Sequence, residues 1–139
     1  VEGESVTIRK GSSMDIENLT FDGYWPETFK LSLNAISVVN GQTQGSQNVV
    51  GYMDISSNPE MYYTQGRFYI NDLNAYADYD SGYDMSRTPF VFSYSGALSS
   101  GEARFNLANG GKVKIVASGG EPITYVDADG DGTYELIEQ

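Results

Sequence analysis

Three aspartates at alternate positions near the C-terminus give the strongest chemical signal in this 139-residue sequence. Asp127, Asp129 and Asp131 are followed by Gly132, and residues 127–138 satisfy the pattern D-x-D-x-D-G-x5-E in full. Alternate aspartates in a tight loop turn their carboxylates towards one point, where oxygen ligands bind calcium at about 2.3–2.6 Å. Glycine supplies the positive φ that the sharp bend requires. The sequence therefore predicts a Ca²⁺ site in this loop.

The other ligands of the predicted calcium site follow from their positions in the loop. We expect the backbone carbonyl of Thr133 to bind the ion, Glu135 to contribute through a water molecule, and Glu138 to close the site with both oxygens. Residues 127–138 resemble the EF-hand-like calcium loops, a group that includes EF-hands, dockerin repeats and the loops of extracellular β-propeller repeats. The flanks depart from a true EF-hand, because residues 121–126 read as a strand and no exiting helix follows. Glu135 is therefore an alternative closing ligand. Because the helix pair of an EF-hand is missing, we expect a fixed structural ion rather than a sensor, and an acidic turn without an ion is the alternative.

A second group of carboxylates lies on a loop with a glycine among them. Asp78, Asp80 and Asp84 could hold a further cation, with Asp72 or Asn74 nearby. Their spacing fits no calcium-loop pattern, so a solvated acidic loop is the alternative interpretation.

Tyrosine is unusually frequent, with 11 residues in the chain. Tyr76, Tyr79 and Tyr83 fall within a short segment and could form an aromatic surface. A tyrosine ring offers flat apolar area and a hydroxyl group, which suits stacking on sugar rings or burial at a protein interface. The alternative is that these tyrosines pack at strand ends and cover the edges of the core.

Alternation of apolar and polar residues dominates the chain and predicts strands rather than helices. The predicted strands are centred on Val6–Ile8, Phe29–Ala35, Val49–Ile55, Phe68–Ile70, Phe90–Tyr94, Phe105–Leu107, Val113–Ile115, Ile123–Tyr125 and Tyr134–Leu136. Asn109-Gly110 between two of these strands predicts a hairpin turn. Strands at this spacing, separated by glycine-rich turns, predict an all-β fold. We expect one domain over residues 1–139, an antiparallel β-sandwich of the jelly-roll or immunoglobulin-like type with the calcium loop near its C-terminus.

Three segments lack a clear strand pattern. Asn58, Pro59 and Glu60 carry the cap, first-position and first-turn signals of a short helix. Residues 13–18 fit a helical turn or a strand. The stretch Leu73–Thr88 is expected to be an ordered surface loop, a kind of segment that often carries function.

Composition excludes several classes of function. The chain has 19 acidic and 8 basic side chains, a formal net charge of −11, which repels phosphate backbones and anionic membranes. It has no histidine and no cysteine. A Ser-His-Asp or Cys-His catalytic arrangement and a thiolate or imidazole zinc site are therefore excluded. No apolar run is long enough to span a bilayer, so membrane insertion is not expected. Nucleic acid binding is not expected either, because of the negative charge.

Two functions are compatible with these observations. The first is a non-catalytic, extracellular, calcium-stabilised structural or adhesive domain, such as a surface or filament subunit. Its partners would be other subunits, and the alternating segment Glu4–Lys10 could be donated as a strand to a neighbour. The second is a carbohydrate-binding module of a secreted, polysaccharide-active protein. An enzyme ranks below both, because no motif isolates a catalytic pair. Since the sequence begins at Val1, we expect the mature form of an exported protein.

Overall fold

The computed structural model describes residues 6–8, 11–17, 19–39, 41–55, 58–70, 75–93 and 95–137. These residues form an all-β structure whose strands pair antiparallel throughout, which confirms the predicted class. A single 3₁₀ turn, Met85–Arg87, is the one helical element in the described part of the chain. No helix among these residues is long and apolar enough to cross a membrane.

The strands follow one another closely along the chain. They are β1 (Val6–Ile8), β2 (Ser13–Glu17), β3 (Phe21–Asp22), β4 (Trp25–Pro26), β5 (Thr28–Val39), β6 (Gln42–Asp54), β7 (Glu60–Ile70), β8 (Ala75–Tyr79), β9 (Phe90–Phe92), β10 (Leu98–Leu107), β11 (Lys112–Ser118), β12 (Ile123–Asp127) and β13 (Glu135–Leu136).

Eleven of these strands form one hydrogen-bonded sheet, of which nine follow the order β1-β5-β6-β7-β8-β10-β11-β12-β13, while β2 and β9 pair with strands of this path. β1 and β2 pair with β5 one after the other along the same edge, and β3 pairs with β4 in a separate two-stranded ribbon. From β5 onwards the order in the sheet therefore follows the order in the chain, apart from β9. The long strands β5 and β6 include most of the residues that were predicted for them. The alternation of β5 breaks at an irregular pair between Leu33 and Ala35, after which Ala35 is exposed and Ile36 is buried.

The sheet closes on itself at one place. β9 pairs with β10 through Leu98 and Ser100, and also with β7, where Phe90 lies opposite Met61. Because β8 pairs with both β7 and β10, the strands β7, β8, β10 and β9 form a ring.

The core lies inside this ring. It consists of Tyr79, Met85, Phe90 and Ala103, against which further aromatic and aliphatic side chains pack. Met85 is 1% exposed, and its sulfur accepts a hydrogen bond from the backbone N–H of Tyr63. The 3₁₀ turn therefore inserts its first side chain into the ring rather than lying on the surface.

Gly101 permits the close approach of the strands that close the ring. It has a φ of +128°, and a Cβ placed on it would lie 2.7 Å from the Cα of Phe90. Any larger residue would push β9 away from β10, so this position requires glycine.

Most predicted strands are present, and the hairpin turn at Asn109-Gly110 joins β10 to β11 as expected. Two local predictions are wrong. Asn58, Pro59 and Glu60 form no helix, because Glu60 begins β7. The expected loop Leu73–Thr88 contains β8, which is held between β7 and β10; residues 71–74 lie outside the described residues. The sandwich type is not confirmed, since the main strands form one partly closed sheet.

Candidate metal centre

The predicted calcium loop connects the last two strands of the sheet. β12 ends at Asp127, and β13 begins at Glu135 and pairs back with β12 through Val126. The loop is therefore held at both ends by a two-stranded ladder. This anchoring fixes where the aspartate side chains can point.

Asp127 is the central acceptor of the loop. It is the buried charged residue of the described structure, with 0% exposure. Its Oδ1 accepts a hydrogen bond from the N–H of Gly130 at 2.7 Å, and its Oδ2 accepts one from the N–H of Gly132 at 2.9 Å. A carboxylate has about four acceptor positions, so each oxygen keeps a second lone pair for a cation. The backbone thus positions both oxygens of Asp127.

Asp129 and Asp131 are exposed and each accept a hydrogen bond from the backbone two residues on. The N–H of Asp131 donates to Asp129 Oδ1 at 3.2 Å, and the N–H of Thr133 donates to Asp131 Oδ1 at 2.7 Å. Each of Asp127, Asp129 and Asp131 can offer one carboxylate oxygen such that these oxygens lie within 4.8 Å of one another. The structure therefore brings the three predicted carboxylates together, and the group could bind a metal ion.

The loop packs directly on the neighbouring hairpin turn between β10 and β11. Gly130 has a φ of +79°, and a Cβ on it would lie 2.7 Å from the carbonyl oxygen of Gly110. From the other side, a Cβ on the buried Gly111 would lie 2.9 Å from the carbonyl oxygens of Asp127 and Ala128. Both positions require glycine, because the backbones of the hairpin turn and of the loop are in direct contact.

The remaining predicted ligands are less close to the cluster or are not described. Thr133 lies in the loop, where its N–H donates a hydrogen bond to Asp131. That its carbonyl binds the ion stays a prediction. Glu135 is exposed at the start of β13 and is not a member of the acidic group. Glu138 lies outside the described residues.

The three loop aspartates take part in none of the ion pairs found among the described residues. Lys112 lies opposite Asp127 on β11. The ion pairs found among the described residues nevertheless involve Glu17, Asp78, Asp84 and Glu102, and none of the three loop aspartates. Carboxylates this close repel one another unless a cation lies between them. A divalent ion with a preference for oxygen ligands fits this arrangement.

The second acidic group does not come together. Asp78 forms a two-point ion pair with Arg67 at 2.6 and 2.8 Å. Asp80 accepts from the N–H of Gly82, and Asp84 caps the 3₁₀ turn by accepting from the N–H of Ser86. Within the described residues, the group at Asp127 is the one cluster with metal-binding spacing. A second cation site at Asp78, Asp80 and Asp84 is therefore not supported, and Asp72 and Asn74 lie outside the described residues.

These partners also shift the pKa values of two of the carboxyl groups. The Arg67 guanidinium lowers the pKa of Asp78 through its hydrogen bonds and its charge. The hydroxyl and the N–H of Ser86, together with Arg87, lower the pKa of Asp84. Both carboxylates are thus engaged in local structure.

The three predicted tyrosines do not form one surface. Successive side chains of β8 point to opposite sides, so Tyr76 and Tyr79 lie on different faces. Tyr79 is 6% exposed in the core, where its hydroxyl donates to the backbone oxygen of Tyr83 and burial raises its pKa. Tyr76 lies on the other face under the guanidinium of Arg67, whose Cζ is 3.7 Å from the ring centroid. Tyr83 alone of the three lines an open depression without being buried.

Sequence reasoning missed a different pair of tyrosines. Tyr52 on β6 and Tyr62 on β7 lie opposite each other, and their rings stack. The two residues are separated by the connection between β6 and β7, and only the register of the folded sheet places them opposite each other. The alternation of apolar and polar residues predicts strands, but it does not define which residues of two paired strands lie opposite each other.

Comparisons with family models, with curated proteins and with solved structures give no match to this chain. The fold and the site are those of an antiparallel, partly ringed β-protein with an acidic cluster in its last described hairpin.

Proposed function

We propose that this chain is a non-catalytic, calcium-stabilised β-domain with a structural or adhesive role outside the cell. The observation that carries the proposal is the buried carboxylate of Asp127, which two backbone N–H groups orient towards Asp129 and Asp131. A buried carboxylate beside two others is stabilised by a bound cation. The same loop joins two strands, so the ion would tie the end of the sheet together.

The calcium ion has a structural task in this proposal. Asp127, Asp129 and Asp131 provide carboxylates, and the carbonyl of Thr133 and the side chain of Glu135 or Glu138 complete the ligand set. The ion supplies charge neutralisation and a crosslink between β12 and β13. No helix pair flanks the loop, so we expect calcium binding to cause no large conformational change.

Assembly into a surface layer or filament is supported by the edges of the sheet. Among the described strands of the large sheet, β1, β2 and β13 are each paired on one side only, so they present backbone groups that another strand can bind. Apolar side chains are exposed at both edges, with Met14 and Ile16 on β2 and Leu136 on β13. Contact between two different edges is head-to-tail and produces open arrays when the rotation between subunits does not close a ring. Val6–Ile8 pairs with β5 of its own chain in the structure, and its donation to a neighbour remains part of the proposal.

The test of the calcium site is thermal unfolding with calcium chloride and with a chelator. An ion that binds only the folded state stabilises it by about 2.7 kcal/mol at a hundredfold excess over Kd. We expect the melting temperature to rise with calcium, and Asp127→Asn to lose most of that rise. Asp15→Asn, at an exposed position on β2, is the matched control and should respond to calcium like the parent chain. Equal melting curves with and without calcium would contradict the site.

The test of the structural role is sedimentation velocity over a concentration series under the same two conditions. We expect larger species in calcium and fewer of them for Ile16→Lys, which places a charge on the β2 edge. A monomer at every concentration would contradict assembly while leaving the calcium site intact.

A further inference from the structure

A stacked pair of tyrosines forms the centre of a groove across the long strands. Tyr52 and Tyr62 are direct partners in the pairing of β6 with β7, so their side chains lie on the same face. Their ring centroids are 5.1 Å apart and the rings are inclined by only 14°. In a stacked pair each ring uses one face for its partner and leaves the other face for a further contact.

Two adjoining depressions share this pair. The first has a volume of about 410 Å³ and is lined, beyond the two tyrosines, by Tyr83 and the polar side chains of Thr64, Asp84 and Ser86 among others. The second has a volume of about 300 Å³ and includes Thr28, Lys30, Asp54 and Glu60. Tyr52 and Tyr62 line both depressions, and we call the pair together with its two depressions the tyrosine groove.

The lining of the tyrosine groove matches the surface of a sugar ring. A pyranose has an apolar face of C–H groups that packs on an aromatic ring, and a rim of hydroxyls that donate and accept hydrogen bonds. The tyrosine pair provides the aromatic surface. The carboxylates of Asp54 and Glu60 can accept hydrogen bonds from sugar hydroxyls on one side. On the other side, Asp84 Oδ2, which also pairs with Arg87, can accept a further one. Apolar area with a few convergent polar groups is the usual composition of a small-ligand site.

Charge selects among sugars. The cationic groups at the groove are already engaged, since Lys30 pairs with Glu17 at 2.8 Å and Arg87 pairs with Asp84 at 3.1 Å. The whole chain carries a net charge of −11. A polyanionic glycan would meet uncompensated repulsion, whereas a neutral glycan would not.

Strand addition does not compete for this groove. β6 is paired on both sides by β5 and β7, and β7 is itself paired with β6, β8 and β9. An extended peptide therefore finds no unpaired main-chain edge here, and recognition must come from side chains.

We propose that the tyrosine groove binds a neutral oligosaccharide, with one sugar ring stacked at Tyr52 and Tyr62 and its hydroxyls held by Asp84 on one side and by Asp54 and Glu60 on the other. This inference goes beyond the proposed structural role, to which it adds a glycan ligand. It does not depend on the calcium loop, because β8, β10 and β11 lie between the two sites in the sheet order.

The experiment is isothermal titration of the full chain, in calcium-containing buffer, with cellohexaose, xylohexaose and mannohexaose, and with oligogalacturonate as the anionic probe. We expect at least one neutral probe to bind and oligogalacturonate not to bind. Tyr62→Ala and Tyr52→Ala should each weaken binding about tenfold or more, because stacking is lost. Tyr62→Phe and Tyr62→Trp should retain binding. Tyr24→Ala is the matched control, because Tyr24 is 98% exposed and does not line the groove.

Two outcomes would overturn the proposal. One is the absence of binding by all three neutral probes at millimolar concentration, with the parent chain shown to be folded by its melting curve. The other is binding that both alanine variants retain in full, or that oligogalacturonate shares. Melting curves of the same samples with and without calcium report separately on the calcium site, so failure of one proposal is distinguishable from failure of the other.

Discussion

At the level of single residues, the three loop aspartates have different tasks. Asp127 is buried and accepts from two backbone N–H groups, whereas Asp129 and Asp131 are exposed and each accept one hydrogen bond from nearby backbone. Asp127 therefore organises the loop itself, and the two exposed residues contribute mainly charge. The sequence pattern does not distinguish them, because all three occupy equivalent positions in it.

This difference predicts unequal effects of two substitutions when calcium is removed. Asp127→Asn replaces one acceptor oxygen by an amide that faces an N–H group, which leaves buried donors without a partner and costs about 1–3 kcal/mol. Asp129→Asn relieves repulsion between exposed charges, so its effect should stay within about 0.5 kcal/mol. Urea unfolding in a chelator measures both. Equal losses for the two variants would contradict the separate roles.

The ion pair between Arg67 and Asp78 predicts a dependence of stability on pH. The pair lowers the pKa of Asp78, so its contribution is fully present above the unfolded value of about 3.9 and is lost as pH falls towards the lower folded value. The two side chains are 34% and 41% exposed, so solvent screening limits this contribution to about 0.5–1 kcal/mol. Asp78→Asn should therefore reduce the unfolding free energy at neutral pH and have a smaller effect below about pH 3. A constant difference at all pH values would contradict this.

At the level of elements, the calcium loop and the β10–β11 turn form one unit. The close approach of Gly130 to the carbonyl of Gly110 means that neither turn can shift alone. We expect Gly130→Ala to lower the unfolding free energy by about 1–3 kcal/mol, because it adds a clash to a backbone with positive φ. It should also weaken the calcium-dependent rise in melting temperature. Gly120→Ala is the matched control, since a Cβ there meets nothing within 4 Å. Equal effects of the two substitutions in urea unfolding would contradict the contact.

The elements show which parts of the fold can be predicted from sequence. Strands with strong alternation, such as β5 and β11, were predicted because their own residues favour the extended conformation. β8 was missed because Ala75, Ala77 and Asp78 have weak strand preference. Pairing with β7 and β10 on both sides decides its conformation instead.

The acidic cluster and the tyrosine pair differ in how well they can be predicted from sequence, because one depends on local residues and the other on strand pairing. The acidic cluster is local in sequence, so the spacing of its residues was enough to find it. The tyrosine pair depends on the register of β6 and β7, which is continuous from the pair Gly51 and Tyr63 to the pair Asp54 and Glu60. This register is set by where the chain reverses between the two strands, and alternation alone does not define that position.

At the level of the whole molecule, net charge opposes compactness. With a formal charge of −11, repulsion across the surface favours the unfolded chain, and salt reduces this repulsion. We expect the melting temperature in a chelator to rise as sodium chloride is added, in Asp127→Asn as well as in the parent chain. Calcium at much lower concentration should act on the parent chain alone. If sodium and calcium at equal ionic strength gave the same shift, screening would account for the whole effect.

The ring of strands also affects how the chain reaches its folded state. β5 to β8 pair in chain order, so each new strand closes only a short loop onto an existing edge. β9 is different, because it pairs with β7 before it and with β10 after it. Until β10 is paired, β9 lacks one of its neighbouring strands and the side chain of Met85 is only partly buried. We therefore expect closure of the ring to be the committing step of folding, and we expect a protease cut between residues 92 and 98 to lower stability more than a cut at the other turns.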